Sequence, residues 1–343
     1  MSKSIKIVSV LLFLCIMVVP AFAEVRSQNE AIDLDGIDEI TIEVKHLFGS
    51  QNTVGMFFVS TNATVSSYNG DKFLAELTEE VSGSKETNLP QMYVEQKDNK
   101  VRIFFVAKKK IKFSFISTGK INLNIKVPEN YRGKINLESN VQDILIENLT
   151  IGTLHAKNDN GNLILNNVEA DELVASSSSG NIDLDNIKAQ KAEIFSSTGN
   201  IKGGDLTVKD GYYYNSVGNI KIESLNGINS KIYNCNGYVK IEELMGGLDV
   251  ENLNASINVT ILKLTKDVRV KCDNGTTRLY LPKDSAFNYK YTNGLGTVKF
   301  DFDLEENKEK IDFVTKSGTV NGGGPLLQAA VGQGTLRVKF IKE

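Results

Sequence analysis

The stretch that decides the fold reads SSSGNIDL at residues 177–184, SSTGNIKG at residues 196–203 and NSVGNIKI at residues 215–222. The segments NDNGNLIL at 158–165 and NCNGYVKI at 234–241 continue the pattern, so the motif recurs every 19 residues. Each copy is marked by one glycine: Gly161, Gly180, Gly199, Gly218 and Gly237. A fixed period of about 20 residues, carried by short strands with Gly, Asn and Ser corners, is typical of a solenoid with stacked rungs.

Aliphatic side chains recur at fixed distances from each glycine and define the predicted core. The position two residues after the glycine holds Leu163, Ile182, Ile201, Ile220 and Val239. Alternation with period two indicates a strand, and changes of phase within each rung indicate corners. We therefore predict an all-β fold, a single-stranded parallel β-helix with rungs of about 19 residues, right-handed and three-sided.

The polar corners have a structural role in this prediction. Glycine supplies backbone angles that other residues avoid, and asparagine tolerates the left-handed region. Stacked Asn and Ser side chains are expected to hydrogen-bond from rung to rung, and binding of sugars or ions by these side chains is the alternative. After Gly237 the register slips, because one rung of 18 residues is centred on Ala255 and the next rung, of 20 residues, restores Gly275.

The first 23 residues have the pattern of an export signal. Lys3 and Lys6 precede an apolar run, and Ala21-Phe22-Ala23 fits a cleavage site, so the mature chain would begin at Glu24. An uncleaved membrane anchor is the alternative, but the run is short for a bilayer span.

Three further segments are predicted within one continuous β domain. Residues 24–130 form an N-terminal antiparallel β cap, residues 131–295 form the regular β-helix repeats, and residues 296–343 form irregular closing rungs. Inside the cap, Asn69-Gly70 and Asp98-Asn99 are predicted to be tight hairpin turns.

The net charge argues against one class of partner, and the spacing of two cysteines argues against a disulfide. The formal net charge of −3 argues against a dedicated nucleic-acid binder, which usually has a basic face. Cys235 and Cys272 are two rungs apart, or roughly 9–10 Å at the strand spacing of a sheet. A disulfide needs Cα atoms closer than about 7 Å, so we predict two free thiols.

The sequence carries none of the common catalytic or metal-binding motifs, and no catalytic residue, metal or cofactor is predicted. His46 and His155 are the only histidines. A polysaccharide-cleaving β-helix needs clustered acids in a groove. The chain instead shows neighbouring stripes, with acids at Glu147, Asp185, Glu223 and Glu242 and lysines at Lys202, Lys221 and Lys240. A solvated, ion-paired face is favoured, and a charged-glycan site is the alternative.

One outward column is aromatic. Phe195, Tyr214 and Tyr233 lie four residues before successive glycines, and Tyr212 is close by. Stacked rungs would bring these rings together, which stabilises a sheet locally. Exposed rings in such an arrangement also bind sugars or proteins, so these four residues form the candidate binding patch.

Several motifs occur in a fixed order along the chain: SSSGNI at 177–182, SSTGNI at 196–201, IKVPE at 125–129, LPKD at 281–284, GGGP at 322–325 and GTLRV at 334–338. This order resembles a bacterial putative-adhesin family whose β-strand-repeat domain has no assigned function and is related to auto-transporter adhesin head domains. Gln142, Tyr238 and Ala255 depart from the family's corner pattern. The resemblance implies a β-helical fold and an envelope location, and it supplies no catalytic motif.

Together these features predict a non-enzymatic exported protein of the cell envelope, in the periplasm, on the outer surface or secreted, with a structural or adhesive role. Its partner would be an envelope or host-surface protein or glycan, and cleavage of the signal would leave no transmembrane segment. The alternatives are a carbohydrate-binding or polysaccharide-degrading β-helix protein and an envelope-stress sensor that binds a ligand.

Overall fold

The computed structural model describes residues 24–44, 56–82, 90–107, 116–140, 143–300 and 314–341. The predicted signal at residues 1–23, His46 and the Gln142 corner lie outside the described residues. Within the described ranges, no helix has the length and apolar character that crossing a membrane requires.

The described residues form 19 β-strands. The N-terminal region contains β1 Glu24–Asp33, β2 Glu39–Val44, β3 Met56–Tyr68, β4 Lys72–Ser82, β5 Pro90–Lys97, β6 Lys100–Ala107, β7 Ile116–Pro128 and β8 Lys134–Ser139. The regular rungs are β9 Asp143–Asn160, β10 Leu163–Ser179, β11 Ile182–Thr198, β12 Ile201–Val217, β13 Ile220–Asn236 and β14 Val239–Asn254. The closing strands are β15 Ile257–Lys263, β16 Val268–Leu281, β17 Phe287–Phe300, β18 Val314–Val320 and β19 Leu326–Phe340.

The regular rungs stack in parallel with the register that the repeat predicts. Ile182 on β11 lies opposite Leu163 on β10 and opposite Ile201 on β12. The same 19-residue spacing joins β9 to β10 and β12 to β13, and it joins β13 to β14 as far as Gly227, so residues in these parts lie opposite their repeat equivalents. The predicted all-β solenoid with 19-residue rungs is therefore confirmed.

Burial divides each regular rung into three faces. On β10 the buried residues are Leu163 and Leu165, then Val168 and Ala170, then Leu173, Ala175 and Ser177. The interval between successive buried residues is two, except at two places where it is three. These two places are the corners inside the strand. Asn167 lies in the first of these corners with a φ of 55°. Asn186 Nδ2 donates to Asn167 Oδ1 at 2.8 Å, so this corner is linked from rung to rung.

The corner at the repeat glycine is held by a ladder of asparagine side chains. The backbone N–H of Asn181 donates to Asn162 Oδ1 at 3.1 Å, and that of Asn200 donates to Asn181 Oδ1 at 2.9 Å. Inside the same corner, buried Asn215 donates from Nδ2 to the Gly199 carbonyl at 3.0 Å. These side chains satisfy backbone groups that the turn leaves unpaired.

The shortened rung loses its residue at the second corner. Gly227 on β13 lies opposite Gly246 on β14, but Ser230 lies opposite Leu248, so β14 is one residue shorter there. This irregularity falls within the 18-residue rung between Gly237 and Ala255.

The N-terminal region is a mixed sheet, and the prediction of an antiparallel cap is wrong for part of it. β2 lies between β6 and β8, and β3 lies between β7 and β9, all in parallel pairs. The stacking of the solenoid therefore extends into this region. The antiparallel pairs are β1–β4, β4–β7 and β5–β6.

One of the two predicted hairpins is confirmed. Lys97 pairs with Lys100 across Asp98-Asn99, which joins the antiparallel strands β5 and β6. The hairpin predicted at Asn69-Gly70 is wrong, because β4 pairs with β1 and β7 and not with β3. The chain does turn at Gly70, but both edges of β3 are occupied by β7 and β9.

The closing strands stack out of chain order. β19 lies between β16 and β17, parallel to both, and β18 pairs antiparallel with β17. Gly334 therefore lies opposite Gly275 and Gly296, whereas Gly318 on β18 lies opposite Tyr289 of β17.

Cys235 and Cys272 are free thiols. Cys272 lies opposite Asn252, which in turn lies opposite Asn234, so two rungs separate the positions of the two cysteines. Burial raises the pKa of the Cys272 thiol.

Two buried tyrosines predict how the fold responds to alkaline pH. Tyr213 and Tyr291 are buried, and in the described part of the chain their phenol oxygens have no hydrogen-bond partner. Burial raises the pKa of both phenols above the usual range. Because an unfolded tyrosine has a pKa of about 10, their contribution to stability is present below about pH 10 and is lost as pH rises further.

The double variant Tyr213→Phe/Tyr291→Phe is expected to lose less stability between about pH 9 and pH 11.5 than the parent protein. The measurement is the urea midpoint across this range, read by circular dichroism. The change with pH is compared, since removal of two unpaired hydroxyls also alters stability at neutral pH. Parallel declines of the two proteins would contradict the prediction.

Candidate interaction surfaces

The stacked rungs bring the four aromatic residues together on one outer face. Phe195 lies opposite Tyr214, and Tyr214 lies opposite Tyr233 on the next strand. The rings of Tyr214 and Tyr233 are 5.6 Å apart between centroids and inclined by 4°, so they are stacked. Phe195 and Tyr212 form a tilted pair, also at 5.6 Å and with an interplanar angle of 58°. We call Phe195, Tyr212, Tyr214 and Tyr233 the aromatic patch.

The patch residues lie on β11, β12 and β13. Along each strand, successive side chains point alternately into the core and outward, and the patch rings are on the outward side. Tyr213, between two patch residues, is fully buried, whereas all four patch side chains are half-buried. Each of these strands is hydrogen-bonded on both sides, so the backbone beneath the rings is held in place.

Cys235 adds a polarisable group to the patch and was not identified from the sequence. The hydroxyl oxygen of Tyr214 is 3.9 Å from Cys235 Sγ. The pKa of the Tyr233 phenol is raised, mainly by local desolvation and secondly by the nearby Cys235 thiol. The repeat register contained the signal for this neighbour, because Cys235 lies in the rung after Tyr214 and close to its level along the strand.

The charged stripes form ion pairs along one exposed face. Lys221 Nζ lies 3.1 Å from Glu242 Oε1 on the next rung and 3.4 Å from Glu223 Oε1 on its own rung. Lys240 Nζ lies 2.9 Å from Glu242 Oε1. These two lysines lower the pKa of the Glu242 carboxyl, which favours the ionised form and opposes a role as a general acid.

His155 is half-buried on β9, opposite Asn136 of β8. Burial, with the charge of Lys134, lowers the pKa of its imidazole. In the part of the chain that the structure describes, no group of three or more His, Cys, Asp or Glu side chains could hold a metal ion. Of the predicted candidate sites, the aromatic patch is the one whose side chains all come into contact in the structure.

The family model Toastrack DUF4097 matches residues 59–321. No curated protein is significantly similar in sequence.

Three solved structures are similar over most of the chain. A "putative adhesin" from Bacteroides fragilis is 14% identical over 93% of this chain and 97% of that chain, with a TM-score of 0.34. A "putative adhesin" from Parabacteroides merdae is 12% identical over the same shares, with a TM-score of 0.31. A "putative cell adhesion protein" from Clostridium sporogenes is 11% identical over 93% of this chain and 100% of that chain, with a TM-score of 0.21.

Proposed function

The chain belongs to the Toastrack DUF4097 family, and we propose that it is an exported, non-enzymatic protein of the cell envelope that adheres to a protein or glycan partner. Export rests on the signal-like residues 1–23. The observation that carries the binding role is the aromatic patch, in which the stacked rings of Tyr214 and Tyr233 project from a fixed sheet face.

Such a surface suits binding for two physical reasons. Tyrosine presents a broad apolar ring and a hydrogen-bonding hydroxyl, and tyrosines are enriched where proteins contact partners. Rings that already stack on one another lose little side-chain freedom when a partner covers them. The sheet beneath is hydrogen-bonded on both sides, so it needs no rearrangement before binding.

The charged face supports a binding role over hydrolysis. A glycoside hydrolase needs one carboxyl group held protonated beside the scissile bond. The lysines around Glu242 lower the pKa of its carboxyl instead, and Lys202 Nζ lies 3.7 Å from Asp183 Oδ1 on the same face. These carboxylates are engaged in exposed ion pairs, which suit a solvated surface.

The double variant Tyr214→Ala/Tyr233→Ala is expected to abolish binding to the partner or glycan while the protein stays folded. The loss follows because both rings of the stacked pair are removed from the contact surface. Binding is measured on a glycan array and by pull-down from envelope extract. Thermal unfolding shows that the variant is folded, and the lost stacking itself should lower stability by about 0.5–1.5 kcal/mol beyond the lost apolar contact.

Two controls make this test specific. The variant Tyr214→Phe/Tyr233→Phe keeps both rings and should retain most of the binding. Tyr238→Ala removes a tyrosine that is 39% exposed and lies outside the patch, and it should bind like the parent protein. Full binding by the double alanine variant would show that the patch is not the contact surface.

A further inference from the structure

A groove runs along the second corner of the solenoid and shares no residue with the aromatic patch. Its volume is about 790 Å³, and it extends from Arg132 and Thr150 at one end to Lys263 and Lys266 at the other. Its floor includes Ala170, Ala189, Gly227 and Gly246, which share one repeat position.

The charges in this groove are segregated. Its lining carboxylates are Glu169 and Asp171, which lie on the same rung. From the next rung onward the charged lining residues are all cations: Lys188, Lys209, Lys263 and Lys266. This part crosses four rung steps, or about 19 Å at the strand spacing of a sheet. A positively charged strip of this length contrasts with the formal net charge of −3 for the whole chain.

The groove lysines also differ from the other lysines of the solenoid in having no carboxylate partner. Between residues 143 and 280, all of which the structure describes, six lysines lie within 4.0 Å of a carboxylate oxygen: Lys157, Lys191, Lys202, Lys221, Lys240 and Lys271. Over the same residues, Lys188, Lys209, Lys263 and Lys266 form no ion pair and are exposed. The remaining unpaired lysine of this stretch, Lys231, lines an adjoining depression that shares Ile228, Thr265 and Lys266 with the groove.

We propose that this groove binds a linear acidic polysaccharide. Unpaired lysines held along a rigid concave strip attract a chain that carries repeated negative charges. Sugar hydroxyls would find partners in the uncharged polar residues between the lysines, which are Gln190, Thr207, Asn226 and Thr265. The exposed side chains of Ile228 and Met245, 46% and 38% accessible, would contact the apolar faces of the sugar rings.

An acidic peptide fits the groove less well. Its backbone N–H and C=O groups would need hydrogen-bond partners along the groove. The strands that form the floor are already bonded to the rungs on either side, so they present no free edge for strand addition. A glycan has no backbone amides to satisfy, and its repeated negative charges can meet the lysines that line the groove.

The test uses an oligogalacturonate as the probe, with a fully methyl-esterified oligomer of the same length as its uncharged control. The parent protein should bind the acidic oligomer and not the ester, and raising salt from about 50 to 300 mM should weaken binding because exposed charges are screened. The variant Lys188→Glu/Lys209→Glu/Lys263→Glu should raise the dissociation constant at least tenfold. A second variant with glutamine at these positions should give an intermediate loss, and melting temperatures show that both are folded.

The matched control is Lys157→Glu/Lys202→Glu/Lys271→Glu, which makes the same change in net charge outside the groove. Its dissociation constant should stay within about threefold of that of the parent, because the local charge of the groove attracts the oligomer and not the net charge of the protein. Equal losses in the two variants, or no binding of the acidic oligomer by the parent, would overturn the proposal. Binding of a poly-glutamate peptide as tightly as the oligogalacturonate would overturn it in favour of an acidic peptide. The patch variants leave the groove intact, so the adhesion proposal and this one fail separately.

Discussion

Replacing Gly199 by alanine is expected to lower the free energy of unfolding by more than about 4 kcal/mol, or to prevent the surrounding rungs from folding. Gly199 has a φ of +141°, which residues with a side chain rarely adopt. A Cβ at this position would lie 2.1 Å from the carbonyl oxygen of Gly180. That oxygen is backbone in the rung below, so relief of the overlap would have to separate stacked strands.

The comparison variant is Gly36→Ala. Gly36 also has a positive φ, of +70°, but a Cβ there would meet no atom within 4 Å. It should therefore show only the backbone cost of a left-handed residue, about 1–2 kcal/mol. Thermal and urea unfolding followed by circular dichroism measure both variants. If Gly199→Ala unfolds like Gly36→Ala, the close approach of the stacked corners does not limit the fold.

Ala255 shows the conditions under which this corner accepts a side chain. It occupies the glycine position of the shortened rung with a φ of +98°, against +122° to +154° for Gly161 through Gly275. The register has already shifted by one residue before this corner. Ala255 therefore has a Cβ in a rung that is one residue shorter than the others and at a smaller φ than the corner glycines. Gly199 lies in a rung of normal length with the usual corner φ, so the same tolerance is not expected there.

The repeat predicted the parts of the core that are uniformly aliphatic. Ile182, Ile201 and Ile220 recur at one position and are buried as expected. The inward positions represented by Ala170 and Leu173 were not identified, because their equivalents in other rungs include Gly227 and Ser230. Hydropathy alone does not single out a column of such mixed composition, whereas stacking places its members one above another.

Strand order at the two ends could not be predicted from local sequence. Asn69-Gly70 has the composition of a hairpin turn, and the chain does turn there, yet β7 occupies the edge that β4 would need. In the same way, β19 inserts between β16 and β17. Both arrangements depend on pairings between residues far apart in the chain, which a turn motif does not specify.

The two candidate surfaces differ in how visible they were in the sequence. Phe195, Tyr214 and Tyr233 occupy one repeat position, so the register alone placed them on adjacent strands. The groove lysines could not be predicted from the repeat, because Lys188 and Lys209 occupy different positions within their rungs. Both nevertheless line the groove at the second corner.

Tyr213→Ala is expected to destabilise the protein by about 3–5 kcal/mol, the range for loss of a large buried aromatic ring. Tyr213 is fully buried between the outward rings of Tyr212 and Tyr214. Its ring occupies space left by Gly211 of the same rung, where a Cβ would lie 2.8 Å from the ring atom Cε2. Because glycine has no side chain to move into the space, the cavity left by alanine cannot collapse easily.

The matched control is Tyr214→Ala, which removes the neighbouring ring on the outer face. It should cost clearly less than Tyr213→Ala, because it loses about 0.5–1.5 kcal/mol of stacking on Tyr233 and the apolar contact of a half-buried ring, but forms no cavity. Urea unfolding of the two variants measures the difference. Similar losses for both would contradict the inward and outward assignment of these adjacent residues.

A compensating pair tests the same packing in the opposite direction. The preceding rung has Ala192 and Ile194 where this rung has Gly211 and Tyr213. Gly211→Ala alone should destabilise, because its methyl group would overlap the Tyr213 ring. In a Tyr213→Ile background the same change should become stabilising, since the methyl group then fills vacated space. The two effects should differ by at least about 1 kcal/mol in a double-mutant cycle, as for other contacting residues. Additive effects would show that Gly211 and Tyr213 do not share the space, and that the rung tolerates its large ring for another reason.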